Sequence, residues 1–515
     1  MSALLGGFLN NVGAAYNLAI VGLVLAALEQ SDSLSSTEGA RPGASAWPTD
    51  RGAGDRSLVA SGGVFGAMAG QLAMGLLGDL AGRRAALILT TLLIVLGSIL
   101  SATLPQGDSL LFTLAICRIV TGLGVGGVYP LTAVASAESL AAAESRGRSM
   151  LLVFSGQGFG QVFAPLVVYL LVAANVGPDQ AWRAALGLGA LPSLVSLLLM
   201  CRREAMTDSV EARILRAAGD HPDNVAFHEE QARFREHNEV LHEAEDGSAG
   251  ASLGALLTDR RLLRKLVGTG GTWFLFDTAF YANVVGVPMV LESMFKVDMS
   301  AAGVETIAGP TTLILLIGLP GYFLSVLLVD RIGLKRLQIA GFVTLSVLYC
   351  VLALTAKALP PALLFALYGC TFLFSNFGPN ATTFCLPAQT FPKRARATYN
   401  GISAALGKSG AVLGTAVFPV IIDQGGLEAV LGSSAGLAMA GALLTYWAVD
   451  VHEVAGKVAV RRGSDASFVE MSTTTALFAA VEDPPPQAKM FSERSRGGGD
   501  GGNPFAEVER QLNRL

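Results

Sequence analysis

Gly75-Leu-Leu-Gly78-Asp79-Leu-Ala-Gly82-Arg83-Arg84 closes an apolar run, and its end returns in the second half of the chain as Asp330-Arg-Ile-Gly333-Leu-Lys335. In both places an acid, a glycine and a basic residue keep the same spacing, in the loop after the second apolar run of a set. Such a recurrence predicts a duplicated unit. Outward from the two copies, apolar runs follow at near-regular intervals: about 6–28, 57–80, 85–104, 109–137, 148–174, 182–201, 266–291, 309–330, 336–356, 361–390, 398–423 and 427–449. Each is long enough to cross a hydrocarbon core of roughly 30 Å. The expected fold is an all-α membrane protein of twelve transmembrane helices in two pseudo-symmetric six-helix bundles.

Composition agrees. Of 515 residues, 52% are hydrophobic and 15% charged, and the mean hydropathy is +0.52. The net charge of −4 gives no ground for a nucleic-acid partner. Cys117, Cys201, Cys350, Cys370 and Cys385 lack metal-ligand spacing and read as small buried hydrophobes. All five histidines lie outside the spans, four of them (His221, His228, His237 and His242) in one polar loop. The first run starts within about ten residues of Met1, with neither a basic leader nor a clear cleavage site, and reads as a membrane helix. No Walker motif, catalytic triad or metal cluster appears, so neither enzyme chemistry nor a cofactor is expected.

Four regions follow: a first bundle (1–201), a charged central loop (202–265) with an amphipathic portion around Glu211–Glu245, a second bundle (266–450) and a polar tail (451–515) expected to be disordered. Arg83-Arg84, Arg146 and Arg148, Arg202-Arg203, Arg260 to Lys265, Lys335-Arg336 and Lys393 to Arg396 fall on one side of the membrane. Alternate loops such as 105–109 and 423–426 carry no Lys or Arg. The basic side is expected to be cytoplasmic, with both termini on it.

A charge near the bilayer centre costs roughly 2.5 kcal/mol or more, so Asp277 and Lys408 need a reason to be there. Counting inward at 1.5 Å per residue, Tyr16, Asn17, Gln71, Tyr129, Gln157, Asp277, Asn380 and Lys408 all fall near mid-depth. Trp273, Asp277 and Tyr281, at i, i+4 and i+8, share one helix face. An ammonium, two amides, two tyrosines, an indole and one protonatable acid make a donor-rich cage suited to a small oxyanion. Asp277 and Lys408 are expected to confront each other across a cavity of that size, or to form a fixed salt bridge. Gly122-Leu-Gly124-Val-Gly126-Gly127 lies inside an apolar span without a preceding strand, and reads as close helix packing. Arg118 is expected to snorkel or bond to neighbouring carbonyls, while Asp79, Arg83, Glu138 and Arg146 read as a charge network latching one conformation.

These segments resemble the major facilitator superfamily, and within it the inorganic phosphate:proton symporters of fungi and plants. The likeness, over roughly residues 8–450, rests on the Gly75–Arg84 stretch above and on four more: Gly126-Gly-Val-Tyr129-Pro-Leu-Thr132, Trp273-Phe-Leu-Phe-Asp277-Thr-Ala-Phe-Tyr281, Asn376-Phe-Gly-Pro-Asn380-Ala-Thr-Thr-Phe384 and Gly401-Ile-Ser-Ala-Ala-Leu-Gly-Lys408-Ser-Gly410. The first is general to the superfamily; the last three are specific to the phosphate branch. The resemblance implies that Tyr129, Gln157, Trp273, Asp277, Tyr281, Asn380 and Lys408 coordinate phosphate. It also implies alternating access in a plasma membrane, arsenate as a competing analogue, proton coupling and a monomer in lipid. The chain departs from the family where acids are expected: Val128 on the fourth helix, Ala14 and Asn17 on the first, and Gln389 after the tenth. A changed energetic coupling follows from that pattern: to a proton through Asp277 alone, to another ion, or absent. The alternatives are a phosphate-sensing receptor that signals through the central loop and tail (Ser464, Ser467 and Thr473–Thr475), and a transporter of phosphate esters such as glycerophosphodiesters.

Overall fold

The two glycines of the repeat decide where helices turn: Gly82 has φ 93° and ψ 145°, and Gly333 has φ 82° and ψ 152°. A side chain is strained at such positive φ, which accounts for glycine at both places. The same backbone at the same point of each half is the structural counterpart of the sequence repeat. The computed structural model describes residues 2–39, 49–107, 109–138, 143–201, 253–295 and 304–449. The described residues form one compact unit. Most of the central loop, with its amphipathic portion, and the polar tail with its serines and threonines lie outside the described residues.

Ten helices among the described residues are long and apolar enough to cross a membrane. We label them α1 (Leu4–Leu28), α2 (Leu58–Leu80), α3 (Arg83–Ala102), α4 (Leu110–Glu138), α5 (Arg146–Ala173), α6 (Asp179–Cys201), α8 (Thr306–Ile332), α9 (Leu334–Thr355) and α10 (Pro361–Thr390), with the tenth, Lys393–Ala448, holding two. Gly426, at φ 69°, interrupts that last one, so it divides into α11 (396–425) and α12 (427–448). A further long helix, α7 (Arg260–Val285), is less apolar because Thr269, Thr272, Trp273, Asp277, Tyr281 and Asn283 interrupt it. The architecture is the expected all-α one.

Glycine lets helix backbones touch. Cβ atoms at Gly122 and Gly126 of α4 would strike the carbonyls of Gly63 and Ala67 on α2, and one at Gly124 would meet Thr90 of α3. α4 is thus wedged between α2 and α3, as its glycine run predicts. The two halves meet in the same manner: Gly75 of α2 abuts the Ala397 carbonyl, and Gly401 of α11 abuts that of Gln71. Several spans also break near mid-depth. α5 is interrupted at Ser155, α8 at Leu319 before Pro320, and α10 at Gly378 before Pro379. Proline lacks the N–H that would continue the helical ladder, so two of the breaks sit where one occurs.

At one end of the bundle, charges from both halves interlock. Asp79 binds Arg83 at 3.1 Å and accepts the Thr398 N–H and hydroxyl, each at 2.7 Å, with the Ala397 N–H at 3.3 Å. The carboxylate therefore caps the N-terminus of α11 from the opposite half, where the helix dipole favours negative charge. Glu138 takes Arg83 and Arg396, each at 3.2 Å, and Arg83 donates to the Lys393 carbonyl at 2.7 Å. Arg146 is exposed at the start of α5.

Cys385, fully buried on α10, reports on this latch. In a variant retaining Cys385 as its sole cysteine, Asp79→Ala is expected to speed maleimide labelling from the latch end several-fold. It should also lower the melting point, consistent with losing a cap of about 1 kcal/mol.

Candidate functional site

α7 and α11 run side by side because α11 presents glycine to α7. Gly407 meets the Trp273 indole, while Gly410 and Gly414 lie against the Phe274 and Thr278 carbonyls. Closeness brings the two mid-depth charges together. The Lys408 ammonium donates to Asp277 Oδ2 at 3.1 Å and to the Tyr281 hydroxyl at 2.7 Å, with Asp277 2% exposed and Lys408 4%. Nζ stands 4.1 Å from the Tyr281 ring centroid and 5.7 Å from that of Tyr129. Tyr129 comes from α4, so the ammonium sits where the two halves face each other. Trp273 lies one turn before Asp277, on the same face of α7. The acid and the amine thus meet directly, and the expectation that a cavity separates them gives way to a buried ion pair.

Asn380 belongs to an adjoining polar cluster. Its amide donates to the Tyr322 hydroxyl at 2.9 Å and to Asn376 Oδ1 at 2.8 Å, and the Tyr322 hydroxyl reaches Gln161 Oε1 at 3.4 Å. Gln157, one turn before Gln161 on α5, is buried, and its Oε1 has no hydrogen-bond partner among the described residues. Of the seven residues expected to form the cage, Asp277, Tyr281 and Tyr129 gather at the Lys408 ammonium, and Trp273 packs beside them against Gly407. Asn380 is held through Tyr322, and Gln157 lies on the facing helix.

Tyr322 went unnamed in the sequence reading, although counting inward along α8 puts it near the depth of the other polar groups. Phe154 and Phe384 were missed as well. The Phe154 ring stacks on Phe384 with centroids 4.4 Å apart, and lies 5.9 Å from Tyr322 and 6.4 Å from Tyr129. On α5 and α10 these rings lie one turn toward the latch from Gln157 and Asn380. They form an apolar floor shared by both halves.

Away from the ammonium, Asn17 and Arg118 meet inside the first half. Arg118 is 1% exposed, so it does not snorkel. It donates to the Ser101 hydroxyl, to the Gly97 carbonyl at 3.1 Å and, more weakly at 3.4 Å, to Asn17 Oδ1. Asn17 Oδ1 also accepts from Ser98 at 2.8 Å. The Tyr16 hydroxyl is committed to the Ala185 carbonyl at 2.7 Å. Cys117 and Cys385 are buried as expected, whereas Cys201 and Cys350 are exposed on helix surfaces. Among the described residues no three His, Cys, Asp or Glu side chains converge as a metal site.

Comparison with known proteins agrees with this fold. The profile of the Sugar (and other) transporter family matches residues 2–457. Inorganic phosphate transporter PT2 of Toxoplasma gondii is 34% identical over 75% of this chain and 63% of its own, so the match spans just under two thirds of that protein. Inorganic phosphate transporter PHO84 of Saccharomyces cerevisiae is 30% identical over 70% of this chain and 67% of its own. Inorganic phosphate transporter 1-6 of Oryza sativa is 35% identical over 68% and 70%. Among solved structures, the major facilitator proton:xylose symporter XylE matches with a TM-score of 0.67 at 17% identity, covering 87% of this chain and 95% of its own. At that identity the likeness is one of fold.

A buried ion pair makes its own test. Removing one partner strands the other charge, at a cost of about 3–5 kcal/mol, whereas replacing both costs far less. Asp277→Asn and Lys408→Met are each expected to lower the melting temperature of purified protein more than the double variant does. Additive losses would show that the pair is not coupled.

Proposed function

Because the chain belongs to the inorganic phosphate transporters of the major facilitator superfamily, a family of membrane transporters and not of enzymes, we propose that it carries inorganic phosphate across a membrane by alternating access. The observation that carries this reading is the Lys408 ammonium, buried at the meeting of the halves on Asp277 and Tyr281. A phosphate oxygen that reaches Nζ must displace the Asp277 carboxylate as counter-charge. Once protonated, Asp277 no longer repels the anion and donates a hydrogen bond to it. Tyr129, Gln157, Trp273, Tyr281 and Asn380 supply the remaining donors. Binding of anion and proton together leaves the site with a balanced charge, the condition under which the halves can rock about it.

Proton handling then rests on Asp277. Arg118, which a carboxylate at position 17 would neutralise, is hydrogen-bonded among the described residues to the neutral groups of Ser101, Gly97 and Asn17. The basic side, with the Asp79–Glu138–Arg396 latch, is the cytoplasmic one, and both termini lie on it. The protein works as a monomer in the plasma membrane, and arsenate, which has the same shape and charge as phosphate, competes.

Labelled phosphate flux in proteoliposomes tests this. Wild-type protein takes up phosphate, an inward proton gradient accelerates uptake, and excess arsenate suppresses it. Asp277→Asn and Lys408→Ala each reduce uptake at least about a hundredfold, as losing a charge-assisted contact in the transported complex predicts. Binding without flux would instead make the protein a sensor. Suppression by glycerophosphodiesters in place of arsenate would make it an ester carrier. Normal uptake by both variants would sink the assignment.

A further inference from the structure

Two buried side chains between the ion pair and the latch are unaccounted for by the reading above. Gln71 on α2 and Asn400 on α11 are each 0% exposed. Among the described residues both atoms of each carboxamide lack a hydrogen-bond partner, and these are the only two side-chain amides of which that is true. A carboxamide offers two N–H donors and one carbonyl acceptor. Burying such groups unmade costs about 1–3 kcal/mol each, so the position needs an occupant that repays it at some stage.

Their place is fixed by the packing around them. α11 faces α7 through Ser403, Gly407 and Gly410, and faces α2 through Ala397 and Gly401. At 100° per residue Asn400 projects between those two faces, in nearly the same sector as Gly407, which bears on Trp273. α2 comes from one half and α7 from the other, so that sector is the space between the halves. α2 meets α4 through Ala67 and Met74 and α11 through Gly75. Gln71 projects between those contacts, into the wedge bounded by the helices that bear Tyr129 and Lys408. The two residues are neighbours across the crossing, because Gly401, next to Asn400, lies against the Gln71 carbonyl. Along α11, Lys408 is eight residues, about 12 Å, in one direction. Thr398, held by Asp79, is two residues in the other.

We propose that Gln71 and Asn400 form a second, transient oxyanion station between the Lys408 site and the latch, which phosphate occupies as the halves part. The inference rests on phosphate being the substrate. Protonated phosphate carries both P–O⁻ acceptors and P–OH donors, and a pair of carboxamides answers both kinds. Carrying no charge, the pair holds the anion more weakly than the ammonium does. A station on a release path requires that, since tight binding there would stall departure. The amides therefore act on the rate of passage and not on capture at Lys408.

Gln71→Met and Asn400→Leu, singly and together, separate these roles in proteoliposomes. In the double variant the maximal phosphate uptake rate falls about tenfold while KM stays within about twofold. Its melting temperature equals or exceeds that of wild type, because unpartnered buried amides have been replaced by apolar groups. Gln71→Asn, which keeps a carboxamide, transports faster than Gln71→Met. A purely structural role predicts the opposite pattern, a lower melting temperature with an unchanged rate per folded molecule, and that result overturns the proposal. Wild-type-like rates in the double variant overturn it too. If wild-type protein itself moves no phosphate, the functional reading fails and this inference with it; wild-type flux with unaffected variants defeats the station alone.

Discussion

An ammonium and a carboxylate 3.1 Å apart, each almost wholly buried, set the terms for the rest of the protein. Neither charge is tolerable alone at mid-depth in a membrane, and together they are nearly neutral. The surrounding architecture serves that proximity. Gly407, Gly410 and Gly414 draw α11 against α7, and Tyr281 and Trp273 flank the pair from the face that bears Asp277. In the cycle we propose, an anion entering the site exchanges with a carboxylate that is already there, and a proton decides which of the two the lysine keeps.

The same logic orders the path toward the latch. Below the pair lies the stack of Phe154 and Phe384, with Tyr129 and Tyr322 beside it, one partner from each half in the closest contact. Beyond it, at the end of the bundle, Asp79, Glu138, Arg83 and Arg396 tie the halves together. An apolar layer that excludes water strengthens the charge contacts on either side of it. The Asp79 cap adds directionality, because a helix N-terminus in one half is satisfied only while the other half is seated.

How much of this was legible in the sequence depends on the kind of residue. Asp277 and Lys408 stood out because a charge at mid-depth in an apolar run needs a partner, a substrate or a proton. The repeat at Asp79 and Asp330 gave the twofold architecture because spacing survives where identity does not. Tyr322, Phe154 and Phe384 were invisible for the converse reason: an aromatic in an apolar run is indistinguishable from ordinary packing until its distant neighbours are known. Tyr322 and Gln161 are 161 residues apart. Arg396 read as one more basic residue in a charged loop, and its ion pair with Glu138 depends on how the halves dock. Of the two expectations for Arg118, snorkelling or bonding to neighbouring carbonyls, the second holds: the Gly97 carbonyl, with Ser101 and Asn17, solvates it from inside. The separation of Asp277 from Lys408 was the least readable quantity, since composition fixes depth along each helix but not the distance between two helices.

The modest apolarity of α7 has a consequence for biogenesis. Its polar face is tolerable in lipid only when α11 covers it, yet Lys408 follows Asp277 by 131 residues in the chain. At roughly 5–20 residues per second of synthesis, the carboxyl is exposed for on the order of ten seconds before its counter-charge is made. Until α11 is made, α7 carries the cost of that polar face without its counter-charge, so the C-terminal bundle is complete only once the last helices arrive.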